Sequence, residues 1–269
     1  MTLLNEIIIA IKGAGEMASA VAWRLWMSNF RKILMLETDS PLAVRREVSF
    51  CEAVHQGQKE VEKVRAARVQ YPDEIEPCWE KNEIAVMVDP QWQTLKAIQP
   101  EVMVDAILAK KNLGTHLKEA PLVIGLGPGF YAGKDVHLVI ETNRGHNLGR
   151  IVTSGEAEPN TGTPGAIGGF TEERVLRAPG AGQFLCVRNI GDSIIKNEII
   201  GSVAGVKVRS GIDGVLRGLI RPNSQVTQGL KIGDIDPRGE VSYCFTISDK
   251  SRAIAGSVLE AILRSYNRA

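Results

Sequence analysis

The sequence predicts an α/β protein, and three observations carry that prediction. A β-branched apolar run, Ile7 to Ile11, flows directly into Lys12-Gly13-Ala14-Gly15; strand-like and helix-like segments then alternate to about residue 113; and beyond it the chain turns glycine-rich and strand-like until its last thirty or so residues. The opening run has the composition of a strand buried on both faces. In 16 to 29, Ala18, Val21, Ala22 and Leu25 recur at helical spacing and form one apolar stripe to set against a sheet. A second strand is expected at Ile33 to Leu36, ending at Glu37. Residues 41 to 69 read as a helical excursion followed by a weak strand near 64 to 69. Strands at 83 to 89 and 102 to 106 flank a short helix at 93 to 98, so residues 1 to 113 predict a Rossmann-like, nucleotide-binding domain on a parallel sheet.

Residues 114 to 180 form a glycine-rich central region, with short strands at 122 to 124, 136 to 140 and 150 to 152 and an ordered loop over 154 to 169. Within 181 to 240 a weak repeat with an offset of 32 residues sets Gly191 to Gly201 against Asn223 to Gly233. It brings Asn197 onto Gly229, two residue types that tolerate a left-handed turn. Paired halves of that size predict a β barrel-sandwich module of the lipoyl/biotinyl kind, although no lysine occupies the expected hairpin tip. In 241 to 269 a strand leads to a helix over 250 to 267, capped by Ser248-Asp249, striped by Ile254, Val258, Ala261 and Ile262, and closed by Arg264 and Arg268. Such a helix is expected to pack back on a larger domain.

Lysine and arginine total 32 against 31 acids, a net charge of +1 with no long single-sign run, which points away from nucleic acid and from an acidic membrane surface. Cys51, Cys78, Cys186 and Cys244 form no CxxC pair, so neither a zinc knuckle nor a disulfide framework is indicated and a reducing cytoplasm is expected. The apolar run at 7 to 11 is too short for a leader core or a membrane span. Cys51 reads as a small buried hydrophobe, and Arg45 and Arg46 as surface charges.

The expected binding turn is Gly13, Ala14, Gly15, Glu16 and Met17, because glycines let the backbone approach a pyrophosphate and the helix N-terminus attracts it. Ala18 supplies the third small residue, and Glu37, 22 residues beyond Gly15, stands where a carboxylate accepts from a ribose 2′-hydroxyl. Glu16 disfavours a pyrophosphate unless its carboxylate turns away. Asp105, Lys110, Lys111 and Asn112 follow a strand at the edge where open sheets bind ligands, and are read either as pocket residues or as a solvated helix. Gly127 and Gly129, in Gly125-Leu126-Gly127-Pro128-Gly129, suggest an anion-binding nest. Glu141, Asn143, Arg144 and His146 are expected to converge nearby, with Glu141 or His146 available for acid/base use, and Asn160 and Thr161 on a loop over the same cleft. One histidine with one carboxylate falls short of a metal ligand set, so no metal is expected.

Lys12 through Ser19, Pro41 through Arg46, Asp105 with Lys110 through Thr115, Gly125 through Phe130, Ile140 through His146, Pro159 through Gly162 and Lys231 through Gly239 together resemble the YqeB family of selenium-dependent molybdenum hydroxylase system proteins. More distantly, the first part is similar to the Rossmann portion of XdhC accessory proteins. The resemblance implies a cytoplasmic accessory or maturation role with a molybdenum hydroxylase as partner, and supplies no catalytic residue. The expected cofactor is a small nucleotide-type ligand, either NAD(P) or molybdenum cofactor dinucleotide, and a homodimer is compatible with the sequence. Two alternatives stay open: an NAD(P)-dependent oxidoreductase, for which no Tyr-x-x-x-Lys set is present, and a non-catalytic scaffold that docks the hydroxylase.

Overall fold

The first apolar run forms β1 (Ile8–Lys12), the middle strand of a nine-stranded sheet, in a computed structural model that describes residues 4 to 267. Ile9, Ala10 and Ile11 are fully buried, as a strand covered on both faces requires. After β1 come α1 (Glu16–Met27), β2 (Lys32–Glu37), α2 (Glu52–Gln56), β3 (Gln58–Val61), β4 (Val64–Val69), α3 (Ile75–Glu80) and β5 (Ile84–Val88). They are followed by α4 (Leu95–Ile98), β6 (Val102–Asp105), β7 (Leu122–Leu126), β8 (Tyr131–Ala132), β9 (Leu138–Ile140), β10 (Ile151–Val152) and β11 (Gly155–Glu156). The large sheet has the order β10-β9-β7-β6-β1-β2-β5-β4-β3, while β8 and β11 make a separate two-stranded ribbon.

This architecture corrects the expected fold class. From β9 to β4 neighbouring strands run parallel, but both edges are antiparallel, β10 on β9 and β3 on β4, so the sheet is mixed. It also does not stop near residue 113, because β7, β9 and β10 continue it. The physical reason is that the β6 to β7 crossover carries only a 3-10 turn at Leu117–Glu119, so the alternation of strand with helix fades while the sheet goes on. The first compact unit contains the chain up to Pro41, Ser49–Asn160 and everything from Ile247. That last piece holds a helix, α5 (Asp249–Tyr266), which packs on α1. Ala18, Val21, Ala22 and Leu25 of α1 are buried, as are Ile254, Val258, Ala261 and Ile262 of α5. Ser248 caps α5 by accepting from the Ser251 N–H at 3.2 Å, whereas Arg268, expected near its end, lies outside the described residues.

The second unit, Leu42–Val48 with Thr161–Thr246, is all β. Its strands are β12 (Val175–Arg177), β13 (Gly182–Cys186), β14 (Ser193–Ile194), β15 (Ile199–Val203), β16 (Val206–Arg209), β17 (Gly214–Leu219), β18 (Gln225–Val226) and β19 (Lys231–Asp236). They form two four-stranded antiparallel sheets, β12-β19-β17-β14 and β16-β15-β13-β18, with Leu176, Phe184, Ile200, Val208, Leu216 and Ile232 among the residues of one core. This replaces the expected lipoyl-like barrel-sandwich module. The turn residues behind the repeat do share a backbone, φ 69° at Asn197 and 80° at Gly229, yet matching turns do not dictate how strands assemble. The unit also draws on chain outside the repeat: a Cβ at Gly218 would lie 2.8 Å from the Val44 carbonyl oxygen. Nor is Arg45 a surface charge. It is 6% exposed and donates to the Tyr243 and Thr246 carbonyls at 2.8 and 2.9 Å, and Arg46 donates to the Leu219 carbonyl at 3.1 Å. Carbonyls left free by irregular backbone need donors, and a guanidinium has five.

Candidate functional site

The carboxyl ends of β1, β2, β6, β7 and β9 meet on one edge of the first unit's sheet. Chain order reverses there, since β1 is followed on one side by β2 and on the other by β6. At such a reversal the two flanking crossovers leave in opposite directions and open a crevice. The Gly13 turn and the segment after β6 bound it, in close approach: a Cβ on Gly13 would stand 3.4 Å from the Ala106 oxygen. Gly13 has φ 88° and donates its N–H to the Leu36 oxygen at 2.7 Å, which a residue with a side chain would do under strain. Gly15 is different. Its φ is −70°, no heavy atom lies within 4 Å of where its Cβ would be, and as the residue before α1 it supplies no side-chain cap to that helix. Space is therefore open beside helix N–H groups that lack a side-chain acceptor.

Glu37 holds this turn. Its carboxylate accepts from the Ala14 N–H at 2.8 Å and from the Thr38 N–H at 2.7 Å. The Ala14 oxygen in turn accepts from the Ser19 hydroxyl at 2.9 Å and the Cys51 N–H at 2.8 Å, so Cys51, 1% exposed, serves through its backbone. Glu16 turns away from the crevice: its carboxylate accepts from the hydroxyls of Ser248 at 3.1 Å and Ser251 at 3.2 Å. Met17 is half-buried beside it.

Asp105 does not point into a pocket. It is 2% exposed and accepts from the Thr115 hydroxyl at 2.6 Å, and that hydroxyl accepts from the Lys12 ammonium at 2.7 Å. Lys12 is fully buried, donates to Glu119 at 2.8 Å and stands 3.6 Å from the centre of the Trp92 ring. Burial lowers its pKa, while its hydrogen bond and charge attraction to Glu119 oppose the shift. Asn112 closes the segment by accepting from the Gly114 and Thr115 N–H groups, both at 2.8 Å. No helix forms over 106 to 112; Leu108 and Lys110 take φ of 59° and 61° instead, backbone that non-glycine residues hold only when their surroundings enforce it. Lys110 and Lys111 are exposed, and Lys110 donates to Asn160 at 2.7 Å.

The expected nest is filled by packing. A Cβ on Gly127 would collide with the Thr142 hydroxyl, and one on Gly129 would come within 2.6 Å of the Lys111 Cα, so these glycines admit neighbouring chain rather than an anion. Glu141 is 3% exposed and accepts from the N–H groups of Asn143 at 2.6 Å and Glu158 at 2.7 Å, which makes it a loop clamp and not a free acid or base. Asn143 donates to Glu158 at 2.7 Å, and Arg144 pairs with Asp249, also at 2.7 Å. His146 is exposed and makes no hydrogen bond or ion pair among the described residues. Thr161 belongs to the second unit, where its hydroxyl accepts from the Thr163 N–H at 3.3 Å. The sequence reading passed over Lys12, Trp92, Thr115 and Glu119. A lysine closing an otherwise apolar strand was the available signal for the first of them.

Among the described residues no group of three or more His, Cys, Asp and Glu is placed to hold a metal ion, and no helix is long and apolar enough to cross a membrane.

Comparison with known proteins yields one sequence relative. The chain is similar to YqeB. It is 46% identical over 256 residues to the Escherichia coli (strain K12) protein described only as uncharacterized protein YqeB, which covers 95% of this chain and 47% of that protein. The chain thus spans about half the length of the curated relative it matches. No protein-family model matches. Among solved structures, the chain is similar to an aspartoacylase family protein from Mesorhizobium loti, with TM-score 0.24 and 10% identity over 51% of this chain and 56% of that one. It is also similar to the ectoine utilization protein EutE from Ruegeria pomeroyi, with TM-score 0.25 and 12% identity over 85% of each chain. A succinylglutamate desuccinylase from Silicibacter gives TM-score 0.26 and 13% identity over 85% of this chain and 84% of that one. None of these is described as a Rossmann or molybdenum hydroxylase accessory protein, and nothing in them supports a selenium link or an XdhC likeness; the fold class is corrected by the mixed sheet and the two antiparallel sheets. At such TM-scores the likenesses carry nothing about activity.

Proposed function

We propose that the first unit binds a small ligand bearing a phosphate next to a vicinal diol, of which a nucleotide is the simplest kind, in the crevice between the Gly13 to Gly15 turn and the 106 to 112 segment. The observation that carries this is the open space over Gly15 at the uncapped start of the twelve-residue α1. The partial positive charge of a helix N-terminus that has no side-chain cap favours an anion there. Glu37 supports the diol. Oε1 accepts only the Ala14 N–H, while Oε2 accepts the Thr38 N–H and, at 3.4 Å, the Thr38 hydroxyl, so with about four lone-pair positions the carboxylate keeps room for a hydroxyl on Oε1. With Glu16 turned to Ser248 and Ser251, the carboxylate at the start of α1 is drawn off. The four free cysteines suit a reducing compartment such as the cytoplasm. This reading assigns no catalytic residue and no protein partner, since the role in molybdenum hydroxylase maturation rested on resemblance alone.

Gly15→Val tests it. Valine is compatible with φ −70°, and with nothing within 4 Å of its Cβ position the isopropyl group would project into the open space. The expected result is unchanged thermal unfolding with loss of NAD and ATP binding by calorimetry. Undiminished binding in the folded variant would show that the turn serves the fold only.

A further inference from the structure

The nine-stranded sheet of the first unit ends on one side in β3, and that edge is open. The strand at the other edge, β10, is two residues long, whereas β3 has four, contains no proline and pairs with β4 without a bulge. Shortness, proline and bulges are the usual ways of blunting an edge, and β3 uses none of them. The Gly57 oxygen accepts from the Arg68 N–H at 2.8 Å. Bonds alternate along an antiparallel pair, so Lys59 and Val61 bond to β4 while the main-chain groups of Gln58 and Glu60 point away from it. Both residues are exposed, and neither bonds elsewhere among the described residues. A hollow of about 440 Å³ lies at this hairpin, lined by Gln56, Gln58, Lys59, Glu60 and Arg65, where the side chains of an added strand can lie.

Charge decides what can pair there. A second copy of the chain would bring its own β3 antiparallel, and only Gln58 and Glu60 offer outward bonds. Pairing Gln58 with Glu60 sets the two copies of Lys59 face to face, and pairing Glu60 with its own copy opposes two carboxylates. The register centred on Gln58 leaves a single bonded pair. Like charges directly opposite one another destabilise a strand pair. We infer that β3 is the docking edge for an extended segment of a different protein, which joins the sheet antiparallel to β3 with a basic residue opposite Glu60 and an acidic residue opposite Lys59. Gln58 and Glu60 each exchange two main-chain hydrogen bonds with that segment, and the charge pairs select its sequence. The two charges are read on opposite faces. Lys59 shares its face with the buried Val61, whereas Glu60 stands on the exposed face beside Arg65, whose guanidinium is turned to Glu83 at 3.4 Å.

The test adds two end-capped synthetic peptides to the full chain, Thr-Val-Lys-Glu-Thr-Val-Thr and its charge-swapped form Thr-Val-Glu-Lys-Thr-Val-Thr, and follows amide exchange by NMR. The first peptide sets lysine opposite Glu60 and glutamate opposite Lys59. It should slow exchange at the Gln58 and Glu60 amides by roughly tenfold once bound chains outnumber free ones by that factor. The swapped peptide should bind roughly threefold to tenfold more weakly, the effect of two cross-strand charge pairs. Lys59→Glu combined with Glu60→Lys should reverse the preference, with thermal unfolding as the check on folding. Unchanged exchange at both amides with either peptide at millimolar concentration would overturn the docking edge. Equal binding of the two peptides would overturn the assigned charge pattern. Sedimentation of the chain alone as a dimer, with both amides already protected, would overturn the different partner in favour of a second copy.

Discussion

Single side chains in this protein do more than one task, and Glu37 shows how. Its carboxylate both fixes the Gly13 to Gly15 turn, through the buried Ala14 N–H, and faces the proposed diol. Glu37→Ala leaves that N–H without an acceptor, so it should cost about 1–3 kcal/mol in urea unfolding before any ligand is added. A fall in ligand affinity with no change in stability would show that other groups hold the turn. Gly129 makes the opposite case, a residue whose only task is to be small. With φ 107° and the Lys111 backbone 2.6 Å from its would-be Cβ, Gly129→Ala should destabilise the protein by at least about 1–3 kcal/mol. Cys78 gives a pH signature. Burial pushes its thiol from 9.0 up to about 11. Below pH 9 the thiol is protonated in both folded and unfolded chains; as pH rises from 9 towards 11 only the unfolded chain ionises, so stability falls, by up to about 3 kcal/mol. Cys78→Ala should flatten that alkaline loss in denaturation curves recorded across the interval, and an unchanged slope would place its origin elsewhere.

At the scale of elements, the crevice wall is tied down from beneath. Lys12, at the end of β1, reaches Thr115 and Glu119, and Thr115 reaches Asp105 at the end of β6. One buried cation thus joins two neighbouring strand ends to the chain that returns below them. Lys12→Met should leave Glu119 facing no partner charge and cost about 3–5 kcal/mol, and adding Glu119→Gln should recover part of it. Trp92, whose ring lies over the ammonium, should report the change in its fluorescence. Similar losses in the single and the double variant would mean that the pair is not energetically coupled. The strained backbone at Leu108 and Lys110 has a cause at this scale too, since Asn112, Thr115 and the glycine at 129 leave that segment no helical alternative.

At the scale of the molecule, the first unit is discontinuous and is completed by the end of the described chain. α5 covers α1 and packs on β7 and β9, and Ile254, Val258, Ala261 and Ile262 are buried there. Ile254→Ala should cost about 2–5 kcal/mol, as expected for a large-to-small change in a filled core. Removal of residues 247 to 269 should leave the sheet without protection in hydrogen exchange, and a truncated chain with native protection of β1 and β6 would show that α5 is an accessory.

Local signals were legible where local physics decides. The β1 run, the stripe in α1, the Ser248 cap and the stripe in α5 are each set by a few neighbouring residues. What only the tertiary structure decided was assembly. The sheet gained β7, β9 and β10 through a crossover without a helix, the second unit became two antiparallel sheets supplied in part by Leu42–Val48, and Gly127, Gly129, Asp105 and Glu141 were drawn into packing and clamping. Lys12 became notable only once folding buried it. Periodicity and capping are properties of adjacent residues, whereas strand order and the surroundings of a charge depend on residues a hundred positions apart, which no local pattern records.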